Sequence, residues 1–202
     1  PRSTLFPYTT LFRSMTAEHV KLIIATGGPG MVKAAYSAGK PAIGVGAGNS
    51  PAYIERTADV RAAVERIMAS KTFDNGTVCA SEQSVICETC NEAKVIEEFE
   101  HQGGYFMSED ETAAVCKLLF SKGHTMNPKF VARKPQVIAE AAGFKVDDDV
   151  RVLIGRQKGV GDGNPLSFEK LTTVLAFYTV EDWEEACELS IELLQNGIGQ
   201  QS

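Results

Sequence analysis

Apolar strand-like runs that alternate with amphipathic helical stretches make this chain an α/β protein. Three observations carry that reading. Val20–Ala25 is a β-branched apolar run, followed at once by the turn Thr26-Gly27-Gly28-Pro29-Gly30 and by the helix-forming stretch Met31–Ser37. Between Thr57 and Ser70, Val60, Ala63, Val64, Ile67 and Met68 recur with the 3.6-residue period of a helix that buries one face. Towards the C-terminus, Val152–Gly155 and Thr172–Tyr178 are apolar runs of strand length.

Composition sets the limits. At 202 residues and 44% apolar, the chain can build one large domain or two small ones. A net charge of −6 argues against nucleic acid, because phosphate binding needs clustered Lys and Arg. Five cysteines without regular spacing indicate a reducing compartment rather than a disulfide scaffold. No apolar run reaches the roughly 18 residues that a membrane-crossing helix requires. A cytoplasmic protein is expected.

Taken in order, residues 1–14 stand apart: Thr4–Ser14 resembles a translated sequencing-library adaptor and is set aside from fold reasoning. The strand at Val20–Ala25, with its glycine turn and helix, brings backbone and a helix N-terminus close to a ligand, but Gly27-Gly-Pro-Gly30 lacks the G-x-G-x-x-G spacing. Lys40–Pro51 reads as a second strand ending in glycines. The helix after Thr57 delivers the chain to Asp74-Asn75-Gly76, a tight turn because Asn-Gly supplies positive φ cheaply. Cys79 follows, at the seam between that helix and the strand-like run Ser84–Cys87. Backbone N–H groups at such a seam can point at a developing oxyanion. Free cysteines are nevertheless among the most buried residue types, so spacing alone favours a core role for Cys79.

Cys87-Glu-Thr-Cys90 has the spacing of half a zinc site, with no second pair at a usual distance, so no metal site is expected. Further helices are expected at Asn91–His101, from Ser108 (with Glu111 completing a capping box) to Lys122, and at Pro135–Ala142 before Gly143. Arg156–Ser167 reads as a surface loop. A last helix, Glu181–Leu194, should end at Asn196-Gly197.

The wording around Cys79 adds what spacing cannot. Thr72-Phe-Asp-Asn-Gly-Thr-Val-Cys-Ala-Ser-Glu-Gln-Ser84 resembles the nucleophile segment of CoA-acylating aldehyde dehydrogenases, including the aldehyde half of bifunctional aldehyde–alcohol dehydrogenases. The resemblance extends from about Lys21 to Gly199. It implies the last part of a cofactor domain at 15–46 and a truncated three-layer α/β catalytic domain at 47–202. Cys79 is then the nucleophile that attacks the aldehyde and carries a thioacyl group to coenzyme A. Gly28 and Gly46 match cofactor-contacting positions, and Glu169, which precedes an aromatic-aliphatic strand, matches the residue that binds the nicotinamide ribose of NAD.

Val45 departs from the hydrolytic members of the family. Aligned through Gly48-Asn-Ser-Pro51, those enzymes carry a water-activating glutamate at this place. Water needs a general base at neutral pH, whereas coenzyme A brings its own ionisable thiol. The implied reaction is therefore NAD-dependent conversion of a short-chain aldehyde to its acyl-CoA. Release of a free acid and an inactive truncated product are the alternatives. The expectation is an internal fragment, inactive alone, of a homo-oligomeric bacterial parent, with a microcompartment location left open.

Overall fold

Side chains of β1 (Ile23–Thr26) alternate strictly: Ile23 and Ala25 are buried, Ile24 and Thr26 exposed. That period of two is what a strand covered on one face requires. The covering comes from α2 (Pro29–Tyr36), and β2 (Ala42–Val45) pairs parallel to β1, from Ile23 beside Ala42 to Thr26 beside Val45. The computed structural model describes residues 6–46, 48–120 and 126–198, and this β-α-β element forms one of its two units. Part of the segment set aside as adaptor-like is helical: α1 (Phe6–Thr16) leads into Met15, which is buried with Ile23, Ala25 and Ala35 in this unit's small core. Lys40 Nζ donates to the carbonyls of Ala17 and Val20, the latter at 2.9 Å, tying the entry to the unit.

The second unit spans Gly48–Gly197 and is a three-layer α/β/α sandwich. Its sheet is parallel throughout. The strand order is β3 (Ser50–Ile54), β4 (Glu82–Glu88), β7 (Val174–Val180), β6 (Val152–Arg156), β5 (Gly104–Phe106). On one face α3 (Val60–Thr72) and α4 (Glu92–His101) cover Ile54, Val85, Cys87, Leu175 and Phe177. On the other, α5 (Glu109–Leu119), α6 (Pro135–Ala142) and α7 (Trp183–Ile198) cover Ile86, Leu153, Val174, Ala176 and Tyr178. Because both faces of β7 are buried, its sequence is a continuous apolar run rather than an alternation.

Several local expectations are met. Ser108 and Glu111 form the reciprocal capping box at the start of α5, and Gly143 closes α6 with φ 97°. Cys87 lies inside β4 and Cys90 in the exposed turn after it. No strand is expected at β5, whose three residues are too few to show a period. Gly104 is required there, since a Cβ would stand 2.9 Å from the Phe99 carbonyl oxygen.

Three expectations need correction. Lys40–Pro51 is not one strand: β2 and β3 belong to different sheets, and between them the Gly48 N–H is taken by the Glu169 carboxylate rather than by a neighbouring strand. Second, α7 runs through Asn196-Gly197 to Ile198, since one glycine in a helix costs only about 1 kcal/mol relative to alanine. Third, α5 ends at Leu119, and the expected end at Lys122 lies outside the described residues. The tail from Gly199 lies outside them too.

The turn before Cys79 is the most constrained backbone in this unit. Asp74, Asn75 and Gly76 carry φ values of 47°, 50° and 76° in succession. Thr77 Oγ1 donates to the Asp74 carbonyl (2.9 Å) and to Asp74 Oδ2 (2.8 Å). A Cβ on Gly76 would stand 2.5 Å from the Thr172 carbonyl oxygen, so the turn is seated on the backbone that leads into β7. Gly76→Ala should therefore destabilise the chain by about 1–3 kcal/mol, from strained φ and a backbone collision together. A urea unfolding curve measures it, and an unchanged midpoint would show that the turn is not locked against Thr172.

Candidate active site

Three segments that precede strands meet at the amino-terminal edge of the larger sheet. Gly48 lies just before β3, Cys79 just before β4 and Glu169 just before β7, and these strands are neighbours in the sheet. Gly48 touches the other two. Its N–H donates to Glu169 Oε1 at 2.8 Å, and a Cβ at position 48 would stand 2.3 Å from the Cys79 carbonyl oxygen. Only glycine allows this approach of backbone to backbone. Asn49 fixes the same bend from inside, its buried Nδ2 donating to the carbonyls of Ser167 (2.7 Å) and Leu193 (2.6 Å).

Cys79 is half-buried on its turn, reduced, and held between Val78 and the buried Ser81, whose N–H donates to the Val78 carbonyl (3.0 Å). No acceptor among the described residues takes the Cys79 N–H. A donor left open beside a thiol is the arrangement that can receive an oxyanion.

Glu169 is half-buried with Oε1 occupied by Gly48 and Oε2 without a partner among the described residues. Burial raises its pKa above the ordinary carboxylate range, while the Gly48 N–H and the charges of Lys71 and Lys170 pull it back down. Its second carboxylate oxygen can accept a hydrogen bond from a hydroxyl group.

Sequence reading missed the charged group packed beneath. Lys71, on the last turn of α3, is fully buried, as are Gln83 on β4 and Lys170. Lys71 Nζ donates to Gln83 Oε1 (3.2 Å) and to the Lys170 carbonyl (3.1 Å), and Gln83 Oε1 also accepts the Lys170 N–H (2.8 Å). Lys170 Nζ in turn donates to the carbonyls of Leu166 and Phe168, the latter at 2.8 Å. A signal was present: Lys71 lies seven residues after Val64 and four after Ile67, so it continues the buried stripe of α3. Burial pushes the Lys71 ammonium down to about 7, against the opposing pull of Glu82 and Glu169.

Gly28 and Gly46 lie in the smaller unit. Gly28 is the residue before α2, with φ −64° and open space where a Cβ would stand, so nothing in its own geometry demands glycine. Gly46 is buried just after β2, and Val45, on β2, is 43% exposed. Among the described residues, no group of three His, Cys, Asp or Glu side chains is placed to hold a metal ion, and no helix is long and apolar enough to cross a membrane.

Comparison with known proteins gives the chain's family. Residues 10–112 match the model of the aldehyde dehydrogenase family. The chain is 47% identical over 184 residues to the bifunctional aldehyde-alcohol dehydrogenase of Escherichia coli K12, which covers 91% of this chain and 20% of that protein. An acetylating aldehyde dehydrogenase from Geobacillus thermoglucosidasius superposes with a TM-score of 0.88 at 46% identity, over 92% of this chain and 41% of that one. A propionaldehyde dehydrogenase from Rhodopseudomonas palustris, solved with bound CoA and an acylated cysteine, gives 0.83 at 26% identity over 93% and 42%. The chain thus spans about a fifth of the length of the curated relative and about two fifths of the solved chains.

The buried amine makes stability depend on pH with a definite sign. The unfolded chain keeps the Lys71 proton up to about 10.5 whereas the folded chain releases it near 7, so the unfolded state binds more protons between those values. This group's contribution to stability should rise as pH increases from 7 towards 10. Lys71→Met should remove that rise, which thermal melts of both proteins across the range would show. Parallel pH profiles would contradict it.

Proposed function

This chain belongs to the aldehyde dehydrogenase family, and we propose that it carries the catalytic segment of a CoA-acylating, NAD-dependent aldehyde dehydrogenase. The observation that carries this reading is the double contact of Gly48, with the Glu169 carboxylate on one side and the Cys79 backbone on the other. It joins the backbone of the cysteine proposed as nucleophile to the carboxylate proposed to hold the cofactor's ribose.

In this reading the Cys79 thiolate attacks the aldehyde carbonyl carbon, forming a carbon–sulfur bond. The electron pair moves to the carbonyl oxygen, which the Cys79 N–H stabilises. Glu169 holds the ribose of NAD, whose nicotinamide supplies the hydride acceptor when bound. Loss of the hydride from the former carbonyl carbon leaves a thioester on Cys79. Coenzyme A then attacks that thioester as a thiolate, the Cys79–carbon bond breaks, and acyl-CoA leaves with the thiolate of Cys79 regenerated. Gly28 and Gly46 are proposed contacts of the cofactor in the smaller unit.

Val45 supports the thiol acceptor over water. A valine takes no proton, and without a base the thioester on Cys79 resists hydrolysis. The relatives also point this way: the Geobacillus enzyme is acetylating and the Rhodopseudomonas enzyme binds CoA. A small aldehyde and coenzyme A are thus the proposed partners.

The test uses a polypeptide of the relatives' length that carries this segment, supplied with NAD and a short-chain aldehyde. Without coenzyme A, a burst of NADH should be followed by near-silence, and coenzyme A should restore steady turnover to acyl-CoA. Steady release of free acid at a comparable rate would instead establish hydrolysis, with Glu169 or Glu82 as the base to examine. Cys79→Ala should lower acyl-CoA formation by roughly three orders of magnitude or more while NAD still binds by titration. Retention of more than a few per cent of the activity would remove Cys79 from the mechanism.

A further inference from the structure

We propose that Lys71 is a positioning residue for this reaction: its buried amine clamps the segment that carries Cys79 to the segment that carries Glu169. The role rests on the acylating reading for its consequence in catalysis, but the clamp itself stands on geometry.

Gln83 lies four residues after Cys79, and Lys170 is the residue next to Glu169. The Lys71 amine reaches both, at 3.2 Å to Gln83 Oε1 and 3.1 Å to the Lys170 carbonyl. The same Gln83 oxygen accepts the Lys170 N–H at 2.8 Å, which closes the three groups into a ring. The amine thereby links α3, β4 and the backbone leading to β7. All three side chains are fully buried, so water does not compete for these bonds. An aliphatic side chain would fill the same stripe of α3 without burying a polar group. What the amine adds is direction: it spans two segments whose relative position sets how a thiol and a carboxylate face a common substrate.

The surrounding charges fit the same role. Lys71 is opposed by Glu82 on β4 and Glu169 before β7, and Lys170 repels it from the same segment. Glu82 Oε2 is buried and has no hydrogen-bond partner among the described residues. Burial raises the pKa of Glu169, and the charges of the two lysines oppose that shift in favour of the ionised form, whose Oε2 is open to a hydroxyl.

Three variants test the clamp. Lys71→Met deletes the amine at similar length. Gln83→Leu removes the shared acceptor. Gln83→Glu keeps an oxygen for both donors and is the conservative rescue. Amide hydrogen exchange, read by mass spectrometry on the whole chain, should accelerate at least tenfold in peptides covering 79–84 and 166–172 for Lys71→Met and Gln83→Leu. Peptides from α4 and α6 should keep their protection, and Gln83→Glu should resemble the parent protein. Uniform acceleration in all peptides, or none in the two segments, would overturn the proposal. If Lys71→Met does not fold, Gln83→Leu against Gln83→Glu decides.

In the relatives-length polypeptide, Lys71→Met should raise KM for NAD about tenfold and lower kcat, and Gln83→Glu should retain both. Parental KM and kcat in a folded Lys71→Met variant would show the lysine to be structural only. Absence of acylating activity in the parent would sink the proposed function, while the exchange pattern would still judge the clamp.

Discussion

A five-stranded sheet in which every strand runs parallel collects all of its amino-terminal ends along one edge. Neighbouring strands lie about 4.8 Å apart, so the segments entering β3, β4 and β7 are within roughly 10 Å of one another whatever their separation in sequence. That constraint brings Gly48, Cys79 and Glu169 together. It also leaves little room, and the structure answers with glycine at Gly48 and Gly76, where backbone meets backbone. In many open α/β sheets ligands bind beyond the carboxyl ends of the strands. Here the carboxyl end of β4 is closed by Glu88, which accepts from the Tyr53 hydroxyl, the Arg56 N–H and the Arg56 guanidinium, and the candidate chemistry lies at the opposite edge.

Crowding of segments would be of little use if they could slide past each other. An apolar contact between them is non-directional, and dispersion varies only gradually with small displacements. The polar ring of Lys71, Gln83 and Lys170 supplies direction instead, at the cost of burying two amines. Both lysines have their affinity for protons lowered by burial, so the arrangement trades some stability near neutral pH for fixed geometry. Oriented groups beside reacting atoms commonly carry such a cost, because preorganised dipoles do not have to reorganise when charge develops.

How far the molecule was legible in its sequence can be judged from particular residues. The helix of α3 announced itself through its stripe, the capping box of α5 through Ser108 and Glu111, and the tight turn through Asn75-Gly76. Each depends on residues close together along the chain. The break between β2 and β3 did not announce itself, because what ends the strand is Glu169, more than a hundred residues away, taking the Gly48 N–H. Lys71 was passed over for a related reason. A lysine ending a helix is usually solvated, and only Gln83 and the Lys170 carbonyl make its burial tolerable.

The sequence by itself determined the α/β class, most element positions, Cys79 at a helix-to-strand turn, and through the wording of that turn the family. It also determined that Val45 cannot act as a base. These are properties of residue identity and local period, which the chain carries without folding. Only the tertiary structure decided that Gly48 joins Cys79 to Glu169, that the Cys79 N–H has no acceptor among the described residues, and that a buried lysine ties the two segments. The physical reason is that each of these is a contact between segments far apart in the chain. Such contacts exist only once the parallel sheet has aligned its strands and the helices have excluded water from the groups between them.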